Sequence, residues 1–341
     1  MEILLRLPPQ PSSLPRASLV CKRWRRLVSD PGFFRLFREH RGKPPLLGFF
    51  CCRYLCGTEF TPMMEPPNRI PAARFSLPLP EDGHGRWAFV DCRHGLALLL
   101  DRTRRKCLVW DPTTGHQRQV AFPPGFISDQ EKLVQNAAVL CPVGGHVRGD
   151  CHWRPFKLVL VRHNHDQTLA ILEFDVVRQG LAVIAKLADS HDRRHSLHFQ
   201  TVQIEESGLG LAALTGSKSS IIQIWARKIN YDGVFRWVLQ KTVELDKLLP
   251  LGPSMKKPEI SFIRGFDEVT NAIILSMVDG VGVMIQLESL KFRNLCTPSC
   301  TAYYPYRNFC TAGLFKGKLQ EDIQAGADHV QQEESSESSK D

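Results

Sequence analysis

The stretch Glu2-Ile3-Leu4-Leu5-Arg6-Leu7-Pro8, followed by Leu14-Pro15-Arg16-Ala17-Ser18-Leu19-Val20-Cys21-Lys22-Arg23-Trp24-Arg25-Arg26-Leu27-Val28-Ser29-Asp30-Pro31, decides how the first part of the chain is read. From Ala17 its apolar positions fall at Ala17, Val20, Cys21, Trp24, Leu27 and Val28. Steps of three and four place them on one helical stripe, with Arg16, Lys22, Arg23, Arg25 and Arg26 on the remaining surface. Ser12 or Ser13 is expected to accept from the free N–H groups of the first turn, where Pro15 is tolerated. Ser29-Asp30-Pro31 ends that helix and caps another carrying Phe33, Leu36 and Phe37. Ahead of both, Ile3 to Leu7 reads as the last turns of a helix that Pro8 and Pro9 terminate, giving three helices.

Outward from this segment the period changes. Residues 42–86 are rich in proline (Pro44, Pro45, Pro62, Pro66, Pro67, Pro71, Pro78, Pro80) and read as a linker with an irregular lead-in strand around Leu46 to Phe50. From Trp87 the chain breaks into short β-rich runs, among them Leu96 to Leu100, Phe156 to Val161, Ile221 to Trp225 and Ile273 to Met277. Trp110-Asp111-Pro112-Thr113-Thr114-Gly115 carries a turn signature, and Asp232-Gly233 and Asp279-Gly280 are further hairpin signals. Residues 87–315 are therefore expected to form one all-β domain that folds on its own. A propeller is preferred over a sandwich because strands before a turn recur at Trp110, Phe174, Trp225 and Leu287, and a closed ring leaves no long exposed edge. Residues 316–341 lose aromatics and gain Gln, Glu, Ser and Asp, so a disordered acidic tail is expected.

The whole chain has 341 residues and a formal charge of +9, concentrated at one end. Residues 1–45 hold ten Lys or Arg against Glu2, Asp30 and Glu39, a local charge of +7. No apolar run approaches the ~20 residues that span a bilayer. Ile3-Leu4-Leu5 is too short for a secretory core, so a cytoplasmic or nuclear, reducing location is expected. Eleven cysteines, mostly single, do not resemble a disulfide framework.

With these residues in view, Glu2 to Pro8 and Leu14 to Pro31 resemble an F-box. Further on, Leu47-Gly48-Phe49-Phe50, Asp91-Cys92-Arg93-His94-Gly95-Leu96, Val109 to Gly115, Leu239-Gln240-Lys241-Thr242 and Tyr304-Pro305-Tyr306 resemble the F-box-associated β domain of a large plant family best known in grasses. The resemblance implies an α+β protein of two domains. A three-helix F-box at 1–41 precedes the linker at 42–86, the β domain at 87–315 and the tail. It also implies a substrate-recognition adaptor of a Skp-cullin-F-box ubiquitin ligase. Leu5, Leu7, Pro8, Leu14, Val20, Cys21, Trp24 and Leu27 would then form the surface that docks on a Skp-type adaptor, or the small core behind it. The β domain would hold the target protein. An F-box normally opens several residues earlier with a Leu-Pro-acidic-acidic-Leu start, so a truncated first helix is expected. The second reading is a stand-alone binding or scaffold protein whose F-box no longer recruits a ligase.

Other chemistries fit the residues less well, and no cofactor or catalytic residue is expected. Arg23, Arg25 and Arg26 are not interleaved with exposed aromatics as nucleic-acid binders are, since Trp24 lies on the apolar stripe. Cys51-Cys52 with Cys56, Cys296 with Cys300, His163 with His165 and His195 with His198 lack zinc-ribbon spacing. In Asp150-Cys151-His152, neighbours on a strand point to opposite faces and cannot share a proton. Gly208-Leu209-Gly210 lacks the third glycine and the helix of a dinucleotide loop.

Overall fold

The computed structural model describes residues 1–53, 57–76, 87–101, 106–122, 134–140, 156–163, 169–178, 180–187, 198–204, 209–215, 221–229, 231–232, 235–248, 260–277, 282–295 and 300–310. The chain divides into two compact units. One comprises Met1–Pro45, Glu65–Arg69 and the chain from Phe309 on; the other comprises Leu46–Met64 and Ile70–Asn308. The tail expected at 316–341 lies outside the described residues, as do the Gly233 and Asp279-Gly280 turn positions.

The first unit contains four short helices: α1 (Glu2–Leu5), α2 (Ser13–Val20), α3 (Lys22–Val28) and α4 (Pro31–Arg41). The three expected helices become four because the stripe from Ala17 to Val28 is broken at Cys21, whose backbone is extended at φ −159° and ψ 164°. Its Sγ accepts from Trp24 N at 3.4 Å, so Cys21 caps α3 instead of continuing α2. A one-residue break keeps the three-and-four spacing in the sequence while turning Val20 out to solvent. Asp30 behaves as read: its Oδ2 accepts from Phe33 N at 2.7 Å, with Pro31 in the first turn. Ser12 does not. Its hydroxyl donates to Asn68 Oδ1 at 2.7 Å, which ties residues 65–69 to the start of α2. Leu4, Leu14, Ala17, Val28, Phe33, Phe37 and Phe309 form the core of this unit.

The second unit is an all-β domain in a five-bladed propeller arrangement. Four blades are antiparallel four-stranded meanders. The first is β3 (Trp87–Arg93), β4 (Leu96–Asp101), β5 (Lys106–Trp110) and β6 (Gln117–Ala121), and the second is β7 (Val134–Leu140), β8 (Lys157–His163), β9 (Leu169–Asp175) and β10 (Gly180–Leu187). The third is β11 (His198–Val202), β12 (Gly210–Thr215), β13 (Ile221–Ile229) and β14 (Phe235–Glu244), followed by the short helix α5 (Leu245–Leu248). The fourth is β15 (Ile260–Asp267), β16 (Ala272–Met277), β17 (Gly282–Gln286) and β18 (Phe292–Leu295). The fifth blade closes the ring with three strands in the order β19 (Cys300–Arg307), β1 (Leu46–Arg53) and β2 (Gly57–Pro62). Strands β3, β7, β11, β15 and β19 each contact the next, and β19 contacts β3.

This overturns one expectation. The stretch read as a linker with a lead-in strand supplies two strands of the closing blade, with Leu46 paired to Arg307 and Arg53 to Cys300. Residues 87–315 alone would leave that blade with only β19.

Blade stacking explains why the middle strands read as continuous apolar runs. Every residue of Leu96–Asp101 is buried because the strand packs on both faces. Leu96, Leu98 and Leu100 turn to the second blade, where they meet Val139, Leu158, Leu160 and Phe174. In the closing blade, Phe49 packs on Ala272, Ile274 and Met284 of the fourth blade. Its neighbour Phe50 faces the other way, with ring centroids 4.9 Å from Phe89 and 5.8 Å from Trp110 of the first. Period-two alternation thus addresses successive residues to opposite neighbours. At Gly265 the inner strands approach so closely that an added Cβ would lie 1.9 Å from the Tyr303 carbonyl oxygen.

Candidate functional site

Two places bring together side chains capable of more than core packing: the helical unit and the propeller axis. In the helical unit, short helices bury only part of their apolar residues. Leu5, Leu7, Trp24 and Leu27 are half-buried against the core cluster, and Leu14 is fully inside it at 2% exposure. Pro8, Val20 and Cys21 face solvent. The eight residues expected at an adaptor surface therefore separate into one core residue, four on the core's margin and three on the outside.

Further apolar residues outside those eight are exposed: Met1, Ile3, Leu19 and Leu36. Leu19 lies off the three-and-four stripe, so a helical wheel assigns it to the polar side. It becomes a paired apolar exposure with Val20 because α2 ends there. Between α1 and α3, Met1, Lys22, Arg23, Arg26 and Leu27 line an open cavity of about 650 Å³. The unit thus presents uncovered apolar side chains beside a basic rim, an arrangement suited to a protein partner that covers the first and matches the second.

At the axis of the propeller, polar side chains replace apolar ones on the inner strands. Arg93 makes an ion pair with Asp91 at 2.7 Å and donates to Thr201 Oγ1 at 2.8 Å and to the Thr201 carbonyl. Thr201 Oγ1 in turn donates to Asn136 Oδ1 at 3.1 Å, and Asn136 Nδ2 donates to Gln200 Oε1 at 3.2 Å. Arg307 grips Asp267 through two nitrogens, Nε to Oδ1 at 2.9 Å and Nη2 to Oδ2 at 2.7 Å. The His94 backbone N–H donates to Glu268 Oε1 at 2.7 Å. These contacts connect first to third, second to third, fifth to fourth and first to fourth blade. Burial pushes the Asp91 carboxyl up to about 6, the nearby Arg93 guanidinium only partly opposing it. The groups are spent on one another, which makes the belt a clasp.

Among the described residues no three His, Cys, Asp or Glu side chains could jointly hold a metal ion. Burial pushes the Cys51 thiol up to about 12 and raises Cys52 as well, so neither is a ready thiolate. Cys56, Cys296, His165, His195, Gly208 and Asp150-Cys151-His152 lie outside the described residues, as do the side chains of His163 and His198. No helix among the described residues is long and apolar enough to cross a membrane.

Comparison with curated proteins returns no match. Among solved structures, a protein of unknown function from Bacteroides caccae is similar at 13% identity and a TM-score of 0.33, covering 74% of this chain and 73% of that one. A streptogramin B lyase structure is similar at 12% identity and a TM-score of 0.28, covering 66% of this chain and 58% of that one. Apo AztD from Citrobacter koseri is similar at 13% identity and a TM-score of 0.29, covering 62% and 48%. In the helical unit, where the helices bury Leu14 and leave Leu19 and Val20 uncovered, residues 1–36 match the family model for the F-box domain, and this segment is an F-box domain.

Proposed function

We propose that the protein is the substrate-recognition adaptor of a Skp-cullin-F-box ubiquitin ligase, its F-box docking on a Skp-type adaptor and its propeller holding the target. An F-box followed by a β-propeller is a typical non-catalytic adaptor architecture. The observation that carries the reading is the F-box at residues 1–36, with Ile3, Leu19 and Val20 left without apolar cover. Burying two such side chains contributes roughly 3 to 6 kcal/mol, enough to decide whether a small helical unit recruits its partner. The plant F-box-associated identity of the β domain and a cytosolic or nuclear site of action belong to the same proposal, and rest on the sequence resemblance.

The test is a titration of purified full-length protein against a Skp-type adaptor. Binding is expected, and the double substitution Leu19→Asp/Val20→Asp should weaken it at least tenfold without lowering the unfolding midpoint, because both residues are exposed. Failure of the wild-type chain to bind would favour a stand-alone binding protein.

A further inference from the structure

A second charged cavity lies in the propeller, at the mouth of the cleft between the fourth and the closing blade. It measures about 240 Å³, and its lining includes Ala272, Met284, Lys291, Phe292, Arg293 and Arg307. Its floor is apolar and fixed: Ala272 and Met284 are 1% and 5% exposed and belong to the cluster that joins the two blades.

Its cations come from two blades. Met284 is paired with Arg293 across β17 and β18, so both side chains stand on the face turned to the closing blade. The turn that delivers Lys291 is held by Leu290 N donating to Gln286 O and Gln286 N donating to Lys291 O, both at 2.9 Å. Arg307 comes from β19 and is committed to Asp267. The acids nearby are engaged elsewhere: Asp267 with Arg307, and Glu288 with Asn271 Nδ2 at 3.3 Å. Among the described residues no carboxylate pairs with Lys291 or Arg293.

An exposed Lys or Arg without a partner is ordinary on a surface. Lys291 and Arg293 at the rim of one cleft, above an apolar floor, focus positive potential into it. The volume is below that of cofactor pockets and suits one or two side chains of an extended chain. We propose that this cavity receives an acidic segment of a target protein, a carboxylate meeting Lys291 and Arg293 while a flanking aliphatic side chain packs on the exposed ring of Phe292. The inference rests on the adaptor reading, of which it would supply the recognition step.

The experiment uses the full-length chain and a labelled peptide of about ten residues rich in Asp and Glu with a central Leu, followed by fluorescence polarisation near physiological salt. The same peptide with Asn and Gln in place of the acids should bind at least tenfold more weakly. Lys291→Ala/Arg293→Ala should lose at least tenfold for the acidic peptide. Lys228→Ala/Arg236→Ala, the same charge change on the third blade, should stay within twofold of wild type. Equal losses in the two variants would reduce the effect to net charge and overturn the proposal, as would absence of binding by the wild type. Binding that appears only after removal of residues 316–341 would assign the cavity to the chain's own acidic tail and overturn a target-derived occupant. Titrating the wild-type chain against the Skp-type adaptor separates the two readings. No adaptor binding with intact peptide binding sinks the ligase role and leaves the site, and the reverse sinks the site alone.

Discussion

Asp91 is the residue where burial and pairing compete most directly. Its carboxyl is 1% exposed and touches Arg93, yet burial outweighs the ion pair and raises its pKa from 3.8 to about 6. In the unfolded chain the group loses its proton near pH 4, whereas in the folded propeller it keeps it until about pH 6. Between those values the native state binds more protons, so Asp91 makes stability fall as pH rises through the interval. Its contribution to the change from pH 5 to pH 7 is a loss of about 1.4 kcal/mol. Urea unfolding at both pH values should show this drop in the wild type and a flatter profile in Asp91→Asn. A profile unaffected by the substitution would mean that Asp91 ionises normally. The cost to Arg93 of losing its partner would appear as a lower stability at both pH values, which the difference between them removes.

At the scale of elements, the packing of β15 against β19 depends on a missing side chain. A Cβ at Gly265 would meet backbone, which cannot swing aside as a side chain can, so Gly265→Ala should destabilise the propeller by about 2 to 3 kcal/mol. Thermal unfolding within a degree of wild type would show that the strands separate freely. The same scale shows what the sequence could and could not reveal. The F-box was legible because its residues are contiguous and their spacing is fixed by helical geometry, from Leu14 to Pro31. The strands were legible because blade stacking demands runs such as Leu96 to Leu100. The break at Cys21 was hidden, since one extended residue leaves the periodicity undisturbed. So was the cavity at Arg293 and Arg307, whose members are joined only by the meeting of two blades.

At the scale of the molecule, closure decides where the propeller begins. Leu47, Phe49, Phe50, Cys51 and Phe60 are all buried and all precede residue 87. A fragment covering residues 46–308 should therefore unfold in one cooperative urea transition, while 87–308 should show none or a much broader one. If the shorter fragment is equally cooperative, β19 closes the ring without β1 and β2, and the three-stranded blade is dispensable. Pairing between Leu46 and Arg307 left no local trace for sequence reading to find, because nothing near either residue announces the other.

The same pairing sets a schedule for the newborn chain. β1 leaves the ribosome early with β2 to bond on one side, but its other edge must wait for β19, whose first residue is Cys300. At about 5 to 20 residues per second, the interval is roughly 10 to 50 s. Throughout it the N–H and C=O groups of one edge of Leu46–Arg53 have no native partner, and Phe49 waits for Ala272, Ile274 and Met284 of the fourth blade to cover it. Synthesis therefore passes through a long-lived state with a sticky strand at its front, and holding that strand apart from other chains becomes a task for the cell's chaperones.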